Sequence, residues 1–181
     1  NVCDLSTDGC FTLGAAVGAT VAISGHPYLA IPAAMGAGVL SGFVTAFLQT
    51  KMGIDSLLAG IIVNTGLYSV NIAVMGNSSL LNMNRTETVF TKVKAALDGT
   101  PFVGSTKLIV SAAAVIVVAV LLGLFLRTRL GLAIRATGNN PDMVRSSSIN
   151  TALTTIVGLC VANAVTALSG CLLAQSQKSV N

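Results

Sequence analysis

Apolar residues run through this chain in long stretches, broken at unequal intervals by short polar ones. A helix that crosses a bilayer needs about 20 consecutive apolar residues. Four stretches meet that length: Tyr28–Leu48, Ile54–Met75, Leu108–Leu126 and Thr151–Ala174. A fifth, Gly9–Ser24, is short. It reads either as a full span extended by Asp4–Asp8 or as a half-helix entering from one side. Gly25, His26 and Pro27 break it from the next run. Gln49–Gly53 makes a tight turn, and Asp55 and Ser56 after it suit a helix N-terminus. In the long linker Gly76–Lys107, residues Val89, Phe90, Val93, Ala96 and Leu97 form a one-sided stripe at helical spacing. That stripe predicts a short amphipathic helix lying flat on the membrane surface or on the bundle, ended by Gly99, Thr100 and Pro101. The whole pattern predicts an all-α integral membrane fold, a polytopic bundle of about five spans in a single transmembrane domain over residues 1–181.

The segment Arg127–Asn150 differs from the other linkers. It reads RTRLGLAIRATGNNPDMVRSSSIN and carries Arg127, Arg129, Arg135 and Arg145 between two apolar runs. Asn140 is placed to cap a helix whose first residue is Pro141, with Asp142 in its first turn, where the helix dipole favours a negative charge. Before it, Gly131–Ala136 reads as a helical extension closed by Gly138. The expected result is a short helix lying across one membrane face. The plainer reading is an ordinary basic connecting loop.

Composition narrows the class further. Charged residues make up 9% of the chain, against about 25% in soluble domains. Apolar residues reach 53% and the mean hydropathy is +0.82, which a soluble domain cannot carry. With no Trp and two Tyr, the aromatic belts that mark bilayer interfaces are thin. A net charge of +4 without a lysine-rich tail speaks against a nucleic-acid partner. Cysteines at 3, 10, 160 and 171 show no CxxC or Cys/His spacing, so neither a metal, a redox motif nor a cofactor is expected. Cys10, Cys160 and Cys171 fall in apolar runs and read as small hydrophobes, and His26 as a turn residue. The chain does not begin with Met, and no basic region precedes its first apolar run, so no signal peptide is read there. Both ends look cut, and the chain is read as an internal piece of a longer membrane protein.

With five crossings, Lys51, Arg127, Arg129, Arg135 and Arg145 fall on one side. Arg85, Lys92, Lys94, Lys107 and Lys178 fall on the other. The positive-inside rule is balanced, and only the density of Arg127–Arg135 tips that side toward the cytoplasm.

Two side-chain patterns lie inside the apolar runs. Small residues recur at every fourth position, at Ala30, Ala34, Gly38, Gly42 and Ala46, and again at Gly14 and Gly18. Such stripes let helix backbones approach closely, either within this chain or against a second subunit. In Ile54–Met75, Gly60, Asn64, Tyr68 and Asn71 share a face. Carboxamides at hydrocarbon depth need partners or water. They read either as interhelical hydrogen bonds or as a polar stripe along a substrate path, with Asn163 and Thr166 as partners or further lining. No charge sits in the middle of a confident span. That favours a transporter powered from outside the membrane, or a passive channel. No catalytic constellation is present and no Walker-type loop, so the chain is expected to be neither an enzyme nor itself an ATP binder.

Four stretches together resemble a known family: DLSTDGCFTLGAAV from Asp4, TKMGIDSLLAGI from Thr50, RTRLGLAIRATGNNPDMVRSSSINT from Arg127 and ALSGCLLAQSQ from Ala167. The third is similar to the cytoplasmic coupling segment of ABC-transporter permeases of the branched-chain amino acid and ribose type. The closest likeness is to the branch described as putative tryptophan/tyrosine or uncharacterised systems. The likeness runs from Asp4 to Gln177, and the cysteines depart from the small residues expected there.

The resemblance implies a permease subunit of an importer in the bacterial cytoplasmic membrane, forming the path for an amino acid or similar small solute. It implies a cytoplasmic ABC ATPase, an extracytoplasmic substrate-binding protein and a second permease copy as partners, beside membrane lipid. It assigns ATPase coupling to Arg135, Ala136, Gly138, Asn139, Asn140, Pro141 and Arg145. It also puts 127–150 in the cytoplasm and 76–107 outside. The competing classes are a passive channel or non-ABC carrier subunit, and a membrane assembly protein that transports nothing.

Overall fold

The computed structural model describes residues 4–78, 81–83, 88–96, 106–147 and 149–180. Within them the chain forms helices α1 (Thr7–Ile23), α2 (Ala30–Thr50) and α3 (Ser56–Val74), strand β1 (Leu81–Asn82), and helices α4 (Val89–Ala96), α5 (Thr106–Arg127), α6 (Arg129–Asn139), α7 (Pro141–Ser146) and α8 (Thr151–Gln177). Strand β2 (Ser179–Val180) follows. Helices α2, α3, α5 and α8 are long and apolar enough to cross a bilayer, and the fold is the all-α polytopic bundle the pattern predicts. Helix α1 has 17 residues, about 25 Å at 1.5 Å per residue, short of a hydrocarbon core of ~30 Å.

The bundle is organised around α8, which packs along both α1 and α2, while α3 flanks α1 and α2. The contacts are backbone on backbone. Gly14 and Gly18 of α1 meet α8 at Ala167 and Cys171, and Gly170 of α8 meets the Phe11 carbonyl of α1. A Cβ on Gly38 would stand 2.5 Å from the Asn163 carbonyl oxygen, and one on Gly42 2.6 Å from that of Leu159. All four glycines singled out in the sequence therefore lie at contacts within the chain. In lipid, helices associate through close packing and not through the hydrophobic effect, so small residues mark the interfaces. Accordingly the core is a stack of alanines, Ala15, Ala16, Ala19, Ala22, Ala30 and Ala34, closed at one end by Met75, Met83 and Val180.

That end is shaped by the linker after α3. Helix α4 sits on the bundle: Val89 and Phe90 are buried, the Val89 N–H donates to Gln175 Oε1 at 3.1 Å, and the Lys92 ammonium lies 5.6 Å from the Tyr28 ring centroid. The end of the predicted stripe, Leu97, and the stop at Gly99–Pro101 lie outside the described residues. Strand β1 pairs antiparallel with β2, Leu81 opposite Val180 and Asn82 opposite Ser179. This pairing is absent from the sequence reading, because two residues carry no alternation to detect. It ties the linker to the end of α8, where Lys178 takes the left-handed conformation that ends helices.

Helix α5 stands apart. Thr106 is its buried residue, and its main contacts are with α4 and α6.

Candidate functional site

The polar segment between α5 and α8 folds as a series of separately capped helices. Thr128 ends α5 with its hydroxyl donating to the Phe125 carbonyl at 2.6 Å and accepting from the Gly131 N–H at 3.3 Å. Gly131 lies directly on the backbone of Phe125 and Leu126, which makes the α5–α6 corner tight. Helix α6 does not close at Gly138 but runs to Asn139. Gly138 has open space around it and a helical conformation is available to it. What stops α6 is Asn140, which turns extended so that its side chain can begin the next helix. The Asn140 Oδ1 accepts from the N–H groups of Asp142 and Met143, both at 3.2 Å, with Pro141 at the first helical position. Asn150 repeats the device for α8, accepting from Ala152 at 3.0 Å and Leu153 at 3.3 Å.

One side of this segment is anchored. The Thr137 and Thr154 hydroxyls are 2.9 Å apart, a Cβ on Gly158 would stand 3.4 Å from Ile134, and Val144 is buried. The other side is free: Arg135, Ala136, Gly138, Asn139, Asn140 and Arg145 are exposed. Arg145 is steadied by its Nε, which donates to the Thr151 hydroxyl at 3.3 Å. Met143 of the same helix is 68% exposed, and Leu130 and Leu132 of α6 are also exposed. Met and Arg are among the residue types enriched at protein interfaces. The resemblance names Arg135, Ala136, Gly138, Asn139, Asn140, Pro141 and Arg145 and not Met143, whose exposure follows from Val144 being the residue that turns inward.

The second candidate is the set of polar side chains between the long helices. Asn71 is buried; its Nδ2 donates to the Thr12 hydroxyl at 2.6 Å and to the Gly9 carbonyl at 3.4 Å. Asn64 is half-buried, and a Cβ on Gly9 would stand 2.6 Å from its Oδ1. Gly60 lies against Leu5. Tyr68 is instead 69% exposed. A helix advances ~100° per residue, so Tyr68 sits about 60° around the axis from Asn71. The four residues thus straddle the edge of the α1–α3 contact. Asn163 lies elsewhere, on α8, fully buried, and Thr166 turns back to its own helix at the Ala162 carbonyl. Neither pairs with the α3 residues.

The partner of Asn163 is one that sequence reasoning missed. Its Nδ2 donates to Asp4 Oδ2 at 3.1 Å, while Asp4 Oδ1 accepts from the Ser6 N–H at 2.9 Å and the Ser6 hydroxyl at 2.6 Å. Thr45 of α2 donates to the Ser6 hydroxyl at 3.2 Å, and Cys10 donates to the Asn163 carbonyl at 3.2 Å. Asn163 is the thirteenth of the 27 residues of α8, so a carboxylate reaches the middle level of the longest span. No span helix carries a charge at that depth, as the sequence indicates; the segment leading into α1 delivers one. Its charge is met by two Ser6 donors, the Asn163 amide and the N-terminal dipole of α1. The presence of Asp4 in the stretch DLSTDG was a usable signal; its depth was not.

Among the described residues, no group of His, Cys, Asp or Glu is arranged to hold a metal ion. Cys10, Cys160 and Cys171 are free thiols.

The family model described as branched-chain amino acid transport system / permease component matches residues 1–181. A tyrosine transport system permease protein of Clostridioides difficile (strain R20291) is 35% identical over 173 residues, 95% of this chain and 55% of that protein. An uncharacterized protein, RP368, of Rickettsia prowazekii (strain Madrid E) is 35% identical over 176 residues, 96% of this chain and 58% of the relative. The chain spans little more than half the length of these relatives. No solved structure matches it.

Proposed function

Because the chain belongs to the family of branched-chain amino acid transport system permease components, we propose that it forms the solute path of an ABC importer whose ATP hydrolysis takes place in a separate cytoplasmic subunit. The observation that carries this is the α6–α7 segment: an exposed, separately capped pair of helices held against α8. An ATPase that drives a permease must push on an element stiff enough to transmit the motion. Here side-chain caps at Thr128 and Asn140 hold the two short helices, which would otherwise fray, and Asn150 caps the long helix α8 that follows. Arg135, Arg145 and Met143 supply charged and apolar contact points. The coupling surface comprises these together with Ala136, Gly138, Asn139, Asn140 and Pro141, and it faces the cytoplasm.

On the opposite face, the linker 76–107 lies outside the cell and meets a substrate-binding protein, and a second permease copy completes the path. The solute is an amino acid. The relative named for tyrosine transport makes aromatic amino acids the first to test. Asn64 and Tyr68, at the open edge of α3, face the path. Asn71 and Asn163 serve it indirectly, by tying α3 and α8 to α1 and the segment before it.

The test is the double charge reversal Arg135→Glu, Arg145→Glu in the full-length protein, assembled with its ATPase. Stimulation of ATP hydrolysis by the loaded binding protein should be lost and ATPase binding weakened, while insertion and thermal stability stay unchanged, since both residues are exposed. Normal stimulated hydrolysis and uptake in that variant would overturn the coupling role and favour a passive channel.

A further inference from the structure

We propose that Asp4, Ser41 and Asn163 form a binding site for one sodium ion at the middle of the bundle, where the ion pins the start of α1 to α2 and α8.

The site lies at half depth. Asn163 is the thirteenth of the 27 residues of α8, and Ser41 the twelfth of the 21 residues of α2. Asp4 reaches them from the segment ahead of α1, its Oδ2 accepting from Asn163 Nδ2 at 3.1 Å. Ser41 lies against the Cys10 thiol, which donates to the Asn163 carbonyl at 3.2 Å. One turn on from Ser41, Thr45 donates to the Ser6 hydroxyl, which in turn donates to Asp4 Oδ1. These side chains form one connected polar group.

Two atoms of the group have no hydrogen-bond partner, Asn163 Oδ1 and Ser41 Oγ. Both are shut away, since Asn163 has no exposed surface and Ser41 has 4%. Polar atoms left unpaired at such burial are costly, and the Asn163 oxygen can only accept. Charge points the same way. The N-terminus of α1 offers Asp4 roughly half a unit of positive charge, and the Ser6 and Asn163 donors solvate the carboxylate without neutralising it. Among the described residues Asp4 has no ion-pair partner, and neither has Asp8, exposed in the first turn of α1. A carboxylate at mid-bilayer depth calls for a positive partner.

The group therefore asks for a positive charge that takes oxygen ligands and needs no acceptor. A water molecule would supply donors and leave the charge. An amino acid's ammonium group would bring the rest of the solute between side chains closed to solvent. Calcium takes about six to eight oxygen ligands, and magnesium holds on to its own waters. A bare monovalent ion fits one carboxylate beside neutral oxygens, a set unlike the His, Cys and carboxylate groupings that hold transition metals. Ions in membrane transporters are bound near the midplane at interrupted helices, and α1 begins at that level.

The test is binding of radioactive sodium to the purified full-length protein in lipid nanodiscs, by equilibrium dialysis in choline chloride. Wild type should bind one ion per chain, displaced by unlabelled sodium far better than by potassium. Sodium should also raise its thermal midpoint above that in choline. Asp4→Asn retains an acceptor for Ser6 but removes the charge, so sodium affinity should fall roughly tenfold or more, as for loss of a charged contact, and the thermal response should vanish. Ser41→Ala should weaken sodium binding and leave the midpoint in choline unchanged, because that hydroxyl has no hydrogen bond to lose. Absence of saturable sodium binding to wild type would overturn the proposal. So would equal displacement by potassium, or full sodium affinity in a folded Asp4→Asn protein. Should Asp4→Asn not fold, full affinity in Ser41→Ala would overturn it just as well.

Discussion

Gly36 and Gly42 lie on one helix in opposite surroundings. Gly42 rests on the backbone of Leu159 and Cys160, whereas Gly36 has nothing within 4 Å. Gly42→Leu should therefore force α2 from α8 and lower stability by about 1–3 kcal/mol, the usual cost of overpacking. Gly36→Leu should leave the thermal midpoint of the full-length protein in detergent unchanged; equal midpoints for both variants would show that the α2–α8 contact is misplaced. The polar residues sort by the same criterion of what they touch. Asn163 is fully buried and donates to a carboxylate, so Asn163→Leu should cost about 1.5–3 kcal/mol, the range for hydrogen bonds to charged groups. Thr166→Val, three residues on, loses only a bond to its own helix and should be neutral in the same thermal assay.

At the scale of elements, the α6–α7 segment depends on its caps. Helix α7 has six residues, far too few to hold together by backbone hydrogen bonds alone. Asn140→Ala should remove about 1 kcal/mol of local stability and let the joint between α6 and α7 flex. The expected outcome is reduced coupling, measured as less ATP hydrolysed on addition of loaded binding protein, with the amount of inserted permease unchanged. Asn140→Asp retains an acceptor for the Asp142 and Met143 N–H groups and should restore most of the response. If the Ala and Asp variants behave alike, capping is not what couples the segment. The contrast with α4 is instructive. That helix is held by tertiary contacts, Val89 to Gln175 and Lys92 to Tyr28, and its role is to close one end of the bundle.

For the molecule as a whole, the two ends differ in construction more than in charge. One end carries α6 and α7, exposed on one side and held against α8 on the other, and the other end is sealed by α4 and the β1–β2 pair. The expected arrangement has the first end in the cytoplasm. In a background with Cys3, Cys10, Cys160 and Cys171 replaced, a cysteine at Asn139 should resist an impermeant thiol reagent added to intact cells, and one at Asn77 should react. The reverse pattern would invert the topology. Both positions are exposed, so accessibility reports the side of the membrane and not burial.

Apolar run length determined the spans, because a bilayer interior leaves backbone groups no partner outside a helix; Leu108–Leu126 and Thr151–Ala174 needed no tertiary knowledge to be read as helical. Local chemistry likewise determined the caps at Asp55 and Asn140, since each acts on backbone two or three residues away. The tertiary structure alone decided which neighbours meet across long separations. Every fourth small residue marks a close approach, but not the partner: that Gly38 and Gly42 meet α8 depends on how three helices pack. Asp4 reads locally as a polar residue ahead of a helix. Its position at the middle of α8 depends on α1 starting inside the bundle, with Ser6 at Thr45 and Leu5 at Gly60. Tyr68 and Asn71 share a stripe in sequence and part company in space, because the edge of the α1 contact falls between them. Periodicity records which side of a helix a residue takes; only the packed bundle defines what stands on that side.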